Sequence, residues 1–154
     1  MTTVHATTTI NATREQIRPI FFDPARLLER DKNVYRYEQD PDWPSVGAKG
    51  EAGFKTFLMD VTHVATCVAY DLDTMRLEFT TESEQAPKPG RWLYTFDEQD
   101  GQTTVSLTIE YHLPDTWLGK TFDRLLVERM NKKQVAASLE ALKQQVETLV
   151  TQAT

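Results

Sequence analysis

From about Asp115 to Val150 the chain contains no proline, and its one glycine there, Gly119, falls in what would be the first turn of a helix. Within that stretch Val135, Leu139, Leu142, Val146 and Leu149 recur at spacings of 4, 3, 4 and 3, the signature of one apolar helix face. A helix over this whole stretch would be roughly 50 Å long at about 1.5 Å per residue. An apolar stripe of that length has to be covered by an equally long apolar surface. The remainder of the chain must therefore supply that surface.

It reads as a sheet. Val4, Ala6, Thr8 and Ile10 alternate with His5, Thr7 and Thr9, as in a half-buried strand. Two short helices follow. The first is predicted from Thr13 as N-cap with Gln16 completing a capping box, and Pro19 should bend or shorten it. The second starts at Asp23-Pro24, an N-cap followed by a proline at the first helical position. Val34–Glu38 is a short strand and Asp40–Gly50, with Pro41, Pro44 and Gly47, a loop.

From Gly50 onward the pattern is strand after strand. Glu51–Phe57 and Val61–Tyr70 form a hairpin whose tip is Leu58-Met59-Asp60. Met75, Leu77 and Phe79 make one inner face, Trp92, Tyr94 and Phe96 the next, and Val105, Leu107, Ile109 and Tyr111 the last. Ser83–Gly90, with Pro87 and Pro89, is expected to be a loop, and Asp100-Gly101 a tight turn. Pro114 should end the last strand and Asp115 cap the long helix. Strands segregated from a long covering helix are an α+β arrangement, here a single domain over residues 2–150.

Composition narrows the function classes. The net charge is −6 and Lys and Arg are scattered singly, so the chain lacks the basic footprint that nucleic acid or an anionic membrane requires. A lone cysteine, Cys67, leaves no internal disulfide and no CxxC metal or redox pair. Met1–His5 starts no apolar signal segment and no run approaches the ~18 residues of a membrane span, which gives a cytoplasmic protein without an integral membrane segment as the expectation. Gly119-Lys120-Thr121 imitates the end of a phosphate loop, but Pro114 stands where the required glycine would be. No cofactor or metal motif is found.

The element order, together with Ile10-Asn11-Ala12-Thr13-Arg14-Glu15-Gln16-Ile17 after the first strand, Val46-Gly47-Ala48 before the third and the closing Leu139-Glu140-Ala141-Leu142-Lys143, resembles the START/Bet-v-type (SRPBCC) superfamily, whose bacterial members include polyketide cyclase/dehydrase-like proteins. The resemblance covers nearly the whole chain. It implies a helix-grip fold: a curved seven-stranded antiparallel sheet wrapped around a long C-terminal helix, with two short helices after the first strand and a hydrophobic cavity between sheet and helix. It further implies a lipid, polyketide or aromatic metabolite as ligand. The alternatives within that family are an aromatase/cyclase-like enzyme and a chaperone-activator-like interaction module. The last is disfavoured by Leu27-Leu28-Glu29-Arg30-Asp31, which has no tryptophan-rich motif after the second helix. A protein partner is not specified.

The residues expected to meet such a ligand are the inner-face aromatics and aliphatics Tyr70, Leu77, Phe79, Trp92, Tyr94, Leu107, Ile109 and Tyr111. Aromatic walls with few polar handles are the usual lining of an apolar site. Extending the helical stripe backward adds Trp117, Thr121, Arg124, Leu125, Glu128 and Asn131 to the sheet side. Arg124 and Glu128, at i,i+4, would then form a polar cavity floor and, with Tyr94, the proton-transfer groups of the enzyme alternative. A second stripe, Leu118, Phe122, Leu126 and Met130, becomes the core side if the helix bends near Asn131–Lys133. By strand parity His5, His63 and His112 should all point to solvent. Phe57-Leu58-Met59, apolar where a hairpin tip should be polar, suggests a movable pocket rim.

Overall fold

The computed structural model describes residues 1–55, 60–84, 86–112 and 124–153, and for Ala86, Pro87 and Arg124 the backbone alone. Strand β1 (Thr2–Ile10) leads into helices α1 (Arg14–Phe21) and α2 (Pro24–Arg30). Strands β2 (Val34–Gln39), β3 (Lys49–Lys55), β4 (Asp60–Tyr70), β5 (Leu77–Ser83), β6 (Ala86–Gln99) and β7 (Gln102–Tyr111) follow, then helix α3 (Arg124–Ala153). All neighbours are antiparallel, in the order β1-β7-β6-β5-β4-β3-β2. This is the seven-stranded helix-grip architecture. No helix among the described residues is long and apolar enough to cross a membrane.

Local chemistry explains the element boundaries. The Thr13 side chain accepts from the Gln16 amide at 3.2 Å while the Thr13 amide donates to Gln16 Oε1 at 2.9 Å, closing the capping box that starts α1. Pro19 sits inside that helix, which ends at Phe21 after eight residues. Asp23 Oδ1 caps α2 through the Ala25 amide at 3.0 Å. Asp100 and Gly101, with φ of 54° and 80°, form the two-residue turn joining β6 to β7, the pair of positive dihedrals that an Asp-Gly hairpin favours.

Helix α3 lies lengthwise along β1 and also touches β7, α1 and α2. Over 30 residues it runs about 45 Å. Val135, Leu139, Leu142 and Val146 are all buried in the core, each worth about 1.5–3 kcal/mol of apolar transfer. The stripe then passes through Val150, packed against the core, rather than the expected Leu149. Leu126 and Met130 are exposed, so a bend does not turn their face into the core, and Leu125, expected on the sheet side of a straight helix, is exposed as well. Their stripe-mates Leu118 and Phe122, the expected cap at Asp115, Trp117 and Thr121, and the apolar tip Phe57-Leu58-Met59 lie outside the described residues.

Two strand expectations need correction. Residues Ser83–Gly90 are not a loop, because β5 continues to Ser83 and β6 begins at Ala86. The prolines are tolerated because the register shifts between Thr81 and Ser83 and, among the described residues, the β7 ladder begins only at Arg91, so Pro87 and Pro89 occupy no paired position there. In β4 the register shifts between Cys67 and Ala69. Cys67 opposite Phe79 and Tyr70 opposite Leu77 both point inward, three residues apart, and Val68 is left 42% exposed. An extra residue in one strand reverses the alternation on either side of it.

Candidate functional site

The concave face of the sheet and the apolar face of α3 enclose a cavity of about 630 Å³. Its back wall is built by strand alternation. Phe79 stacks on Trp92 with centroids 5.5 Å apart, and Tyr94 stacks on Phe96 at 6.3 Å, the planes tilted by 23° and 20°. Tyr94 also stacks on Phe79 at 6.3 Å, so the rings of β5 and β6 form one continuous ladder. Leu107 and Ile109 of β7 pair with Tyr94 and Trp92 and continue the wall. Phe21 closes the deep end edge-on against Tyr94 at 5.0 Å and Phe96 at 5.2 Å.

The opposite wall includes three small residues, Gly50, Ala52 and Ala65. Gly50, Ala52 and Phe54 of β3 pair with Ala65, His63 and Val61 of β4, and all six line the cavity. Gly50 leaves room for Tyr37, because a Cβ at this position would lie 2.9 Å from the Tyr37 hydroxyl of β2 and push that ring aside. The roof is α3, through Asn131, Gln134, Val135, Ser138, Leu139 and Leu142.

Polar groups interrupt the apolar lining, and the charged ones are Asp23, Arg30, Asp31 and Lys32 near α2 and Lys55 on β3. Tyr37 donates to Gln39 Oε1 at 3.1 Å, and burial pushes its phenol up to about 12, opposed by the Arg30 charge. Burial likewise pushes Tyr94 up to about 12. The Tyr94 hydroxyl has no hydrogen-bond partner among the described residues, whereas the Tyr111 hydroxyl accepts from Asn131 Nδ2 at 2.8 Å. His63 packs edge-on against Phe54 at 5.1 Å, and burial holds its ring below the ordinary histidine pKa. At neutral pH it is an uncharged imidazole facing an apolar space.

Of the residues expected to meet a ligand, Leu77, Phe79, Trp92, Tyr94, Leu107, Ile109 and Tyr111 line the cavity. Tyr70 does not. It points inward but packs beyond Phe22, edge-on to that ring at 5.5 Å, and accepts from Arg18 Nη1 at 2.9 Å. Glu128 is half-buried and is not among the lining residues, so it supplies no cavity floor. The Arg124 side chain lies outside the description. Asn131, from the same backward extension, does line the cavity.

The histidine expectation is corrected in two of three cases. His5 is exposed and bonded to Thr108 Oγ1 at 2.8 Å. His63 and His112 line the cavity. For His63 the reason is the β4 bulge: counting parity back from Tyr70 gives the wrong face.

Sequence reasoning missed Arg30, Tyr37 and the small-residue wall. Arg30 had a readable signal, since it follows Leu27 by three residues and so shares the apolar face of α2. Among the described residues no group of three or more His, Cys, Asp or Glu side chains is placed to hold a metal ion.

Comparison with known proteins agrees with this architecture. The model of the family described as polyketide cyclase/dehydrase and lipid transport matches residues 1–147. A protein from Thermus thermophilus superposes with a TM-score of 0.78 at 19% identity, over 96% of this chain and 99% of that one. An aromatase/cyclase from Streptomyces sp. R1128 gives 0.77 at 14% identity, over 97% and 95%. A START superfamily protein from Mycobacterium smegmatis gives 0.73 at 10% identity, over 96% and 98%. Among curated protein sequences, none matches.

Proposed function

The chain belongs to the polyketide cyclase/dehydrase and lipid-transport family, and from that premise we propose that it binds a hydrophobic small molecule, of lipid, polyketide or aromatic-metabolite type, in the cavity under α3. The observation that carries the reading is a 630 Å³ space walled by a stacked aromatic ladder. Its size falls within the roughly 300–1,000 Å³ of small-molecule sites, and its lining follows their pattern of apolar walls with a few orienting polar groups. A planar or extended apolar body would lie along Trp92, Phe79 and Tyr94, gaining ring contacts beyond simple burial.

Native mass spectrometry of the freshly purified protein tests this directly. A retained adduct of small-molecule mass, displaced by the neutral dye N-phenyl-1-naphthylamine, is the expected result. The dye should also raise the melting temperature, as any ligand of the native state alone must. No adduct, and no dye binding at a one-to-one ratio, would refute the reading.

One observation favours keeping the aromatase/cyclase alternative. The Tyr94 phenol, which has no partner among the described residues, and the neutral His63 imidazole face the same cavity, one able to donate a proton and the other to accept one. Under that reading a flexible polyketide would be held in one folded shape and His63→Gln would lower turnover about 10²–10⁴-fold while leaving affinity nearly unchanged. Unchanged turnover in His63→Gln would leave binding as the function.

A further inference from the structure

We infer that the ligand is an amphiphile with an anionic head, its acidic group seated against the Arg30 guanidinium and the Tyr94 hydroxyl at the α1–α2 end of the cavity and its apolar body lying along the aromatic ladder. This rests on the ligand-binding reading above and adds the chemical class.

The observations concern one side chain. Arg30 lines the cavity and stands over the Phe21 ring at 5.5 Å, and Phe21 in turn meets Tyr94 at 5.0 Å. Its guanidinium donates to Ile20 O at 3.4 Å, Phe21 O at 3.3 Å and Gln145 Oε1 at 3.3 Å. All three acceptors are neutral and all three bonds are longer than the usual ~2.9 Å. A guanidinium carries five N–H donors, so the set is incomplete as well as loose. The setting of Arg18, Arg26, Arg36, Arg76 and Arg91 is different, because each of these meets a glutamate.

Arg30 forms no ion pair among the described residues, although the Asp31 and Asp23 carboxylates line the same cavity and favour its charge from longer range. Asp31 Oδ1 accepts from the Asn33 amide at 3.1 Å and Asp23 Oδ1 caps α2. Burial pulls the Arg30 pKa down, with the Tyr94 phenol as the largest opposing influence. A buried charge is costly unless paired, and a guanidinium is built to pair with a planar or tetrahedral oxyanion. The contacts to α1 and α3 hold the group in place for an incoming anion. The Tyr94 hydroxyl, without a partner among the described residues, supplies a further donor.

The test uses two dyes that differ by one group: 8-anilinonaphthalene-1-sulfonate and its sulfonate-free parent, N-phenyl-1-naphthylamine. Fluorescence titrations are run on the wild type, Arg30→Gln, Arg30→Lys and Tyr94→Phe, each checked by circular dichroism. Arg30→Gln should weaken the sulfonate dye about 10- to 150-fold, the range for a hydrogen bond to a charged group, and shift the neutral dye less than about twofold. Arg30→Lys should recover part of the loss. Tyr94→Phe, which keeps the ring in its stack, should weaken the sulfonate dye about two- to tenfold and leave the neutral dye unchanged.

A purely structural Arg30, one that only caps α1, would make both dyes suffer alike, and that result overturns the anion site while leaving the cavity reading intact. If the neutral dye fails to bind the wild type, the cavity reading falls and the inference with it. Should Arg30→Gln not fold, Tyr94→Phe decides: an unchanged affinity for the sulfonate dye there refutes the anion site.

Discussion

Breaking the Asn131–Tyr111 hydrogen bond should destabilise the protein measurably and loosen the cavity at the same time. Helix α3 leans mainly on β1, and on the β7 side its contacts are few, so the 2.8 Å bond from Asn131 Nδ2 to the Tyr111 hydroxyl is one of the ties holding the roof to that edge. Both side chains are half-buried and both line the cavity. A neutral hydrogen bond of this kind contributes about 0.5–1.5 kcal/mol net, and stranding one partner adds part of its desolvation cost. Tyr111→Phe and Asn131→Leu should therefore each cost about 1–2 kcal/mol, a drop of about 2–4 °C in Tm per kcal/mol for a chain of this size. The double variant removes both polar groups and should cost about 1 kcal/mol less than the sum. Urea titrations of the four proteins, with m unchanged, measure the coupling. Stopped-flow binding of N-phenyl-1-naphthylamine should show faster entry and exit in the single variants. Additivity within about 0.3 kcal/mol, with unaltered dye kinetics, would mean that the tie does not hold the roof.

Three further outcomes follow from particular side chains. Thr103→Val should cost about 1–3 kcal/mol by urea titration, because Thr103 is fully buried and its hydroxyl donates to Ala12 O at 2.7 Å, a carbonyl the isostere would leave unsatisfied; a loss under about 0.5 kcal/mol refutes this. Ala52→Phe should abolish dye binding at nearly unchanged Tm, since the added ring projects into existing space, and retained affinity would place the bound dye elsewhere. His63 has a folded pKa depressed by burial, so between that value and about 6.5 the unfolded chain binds the extra proton; its stabilising contribution is complete above about pH 6.5 and is lost as pH falls toward the folded value. His63→Gln should flatten the stability profile between about pH 5 and 7, and an identical slope in variant and wild type would refute the assignment.

Features written in local chemistry were legible in the chain. The Thr13–Gln16 capping box, the Asp23-Pro24 start and the Asp100-Gly101 turn each depend on two or three adjacent residues, and each is found where its residues place it. The inner faces of β5, β6 and β7 were equally plain, because where Leu77, Phe79, Trp92, Tyr94, Phe96, Val105, Leu107 and Ile109 occur no bulge interrupts the alternation. His63 was misplaced because a bulge has no unambiguous sequence mark, and one extra residue in β4 exchanges the two faces for everything before it. The end of the α3 stripe was misread for a smaller reason. A 4, 3, 4, 3 pattern advances at 3.5 residues per turn and a straight helix at about 3.6, so after two heptads Leu149 has drifted about 40° off the stripe and Val150 shares the inward side with it.

The cavity itself could not be seen in any single segment, because it arises from a difference between walls. Large rings on β5 and β6 invite the reading of a filled core, and Gly50, Ala52 and Ala65 read individually as poor strand formers. Only the register sets Gly50 beside Ala65, and Ala52 beside His63, facing the hollow enclosed by the aromatic ladder and α3. Had those three positions carried Leu or Phe, the same backbone would close on a packed interior. The empty volume is thus held open toward β3 and β4, where the wall is thin and one neutral imidazole faces inward. The charged end lies at α2, where a largely buried arginine occupies the apolar face of a short helix. A ligand that fits this asymmetry has its bulk under α3 and its polarity at one end, so enlarging the thin wall and neutralising the charged end should alter capacity and selectivity separately.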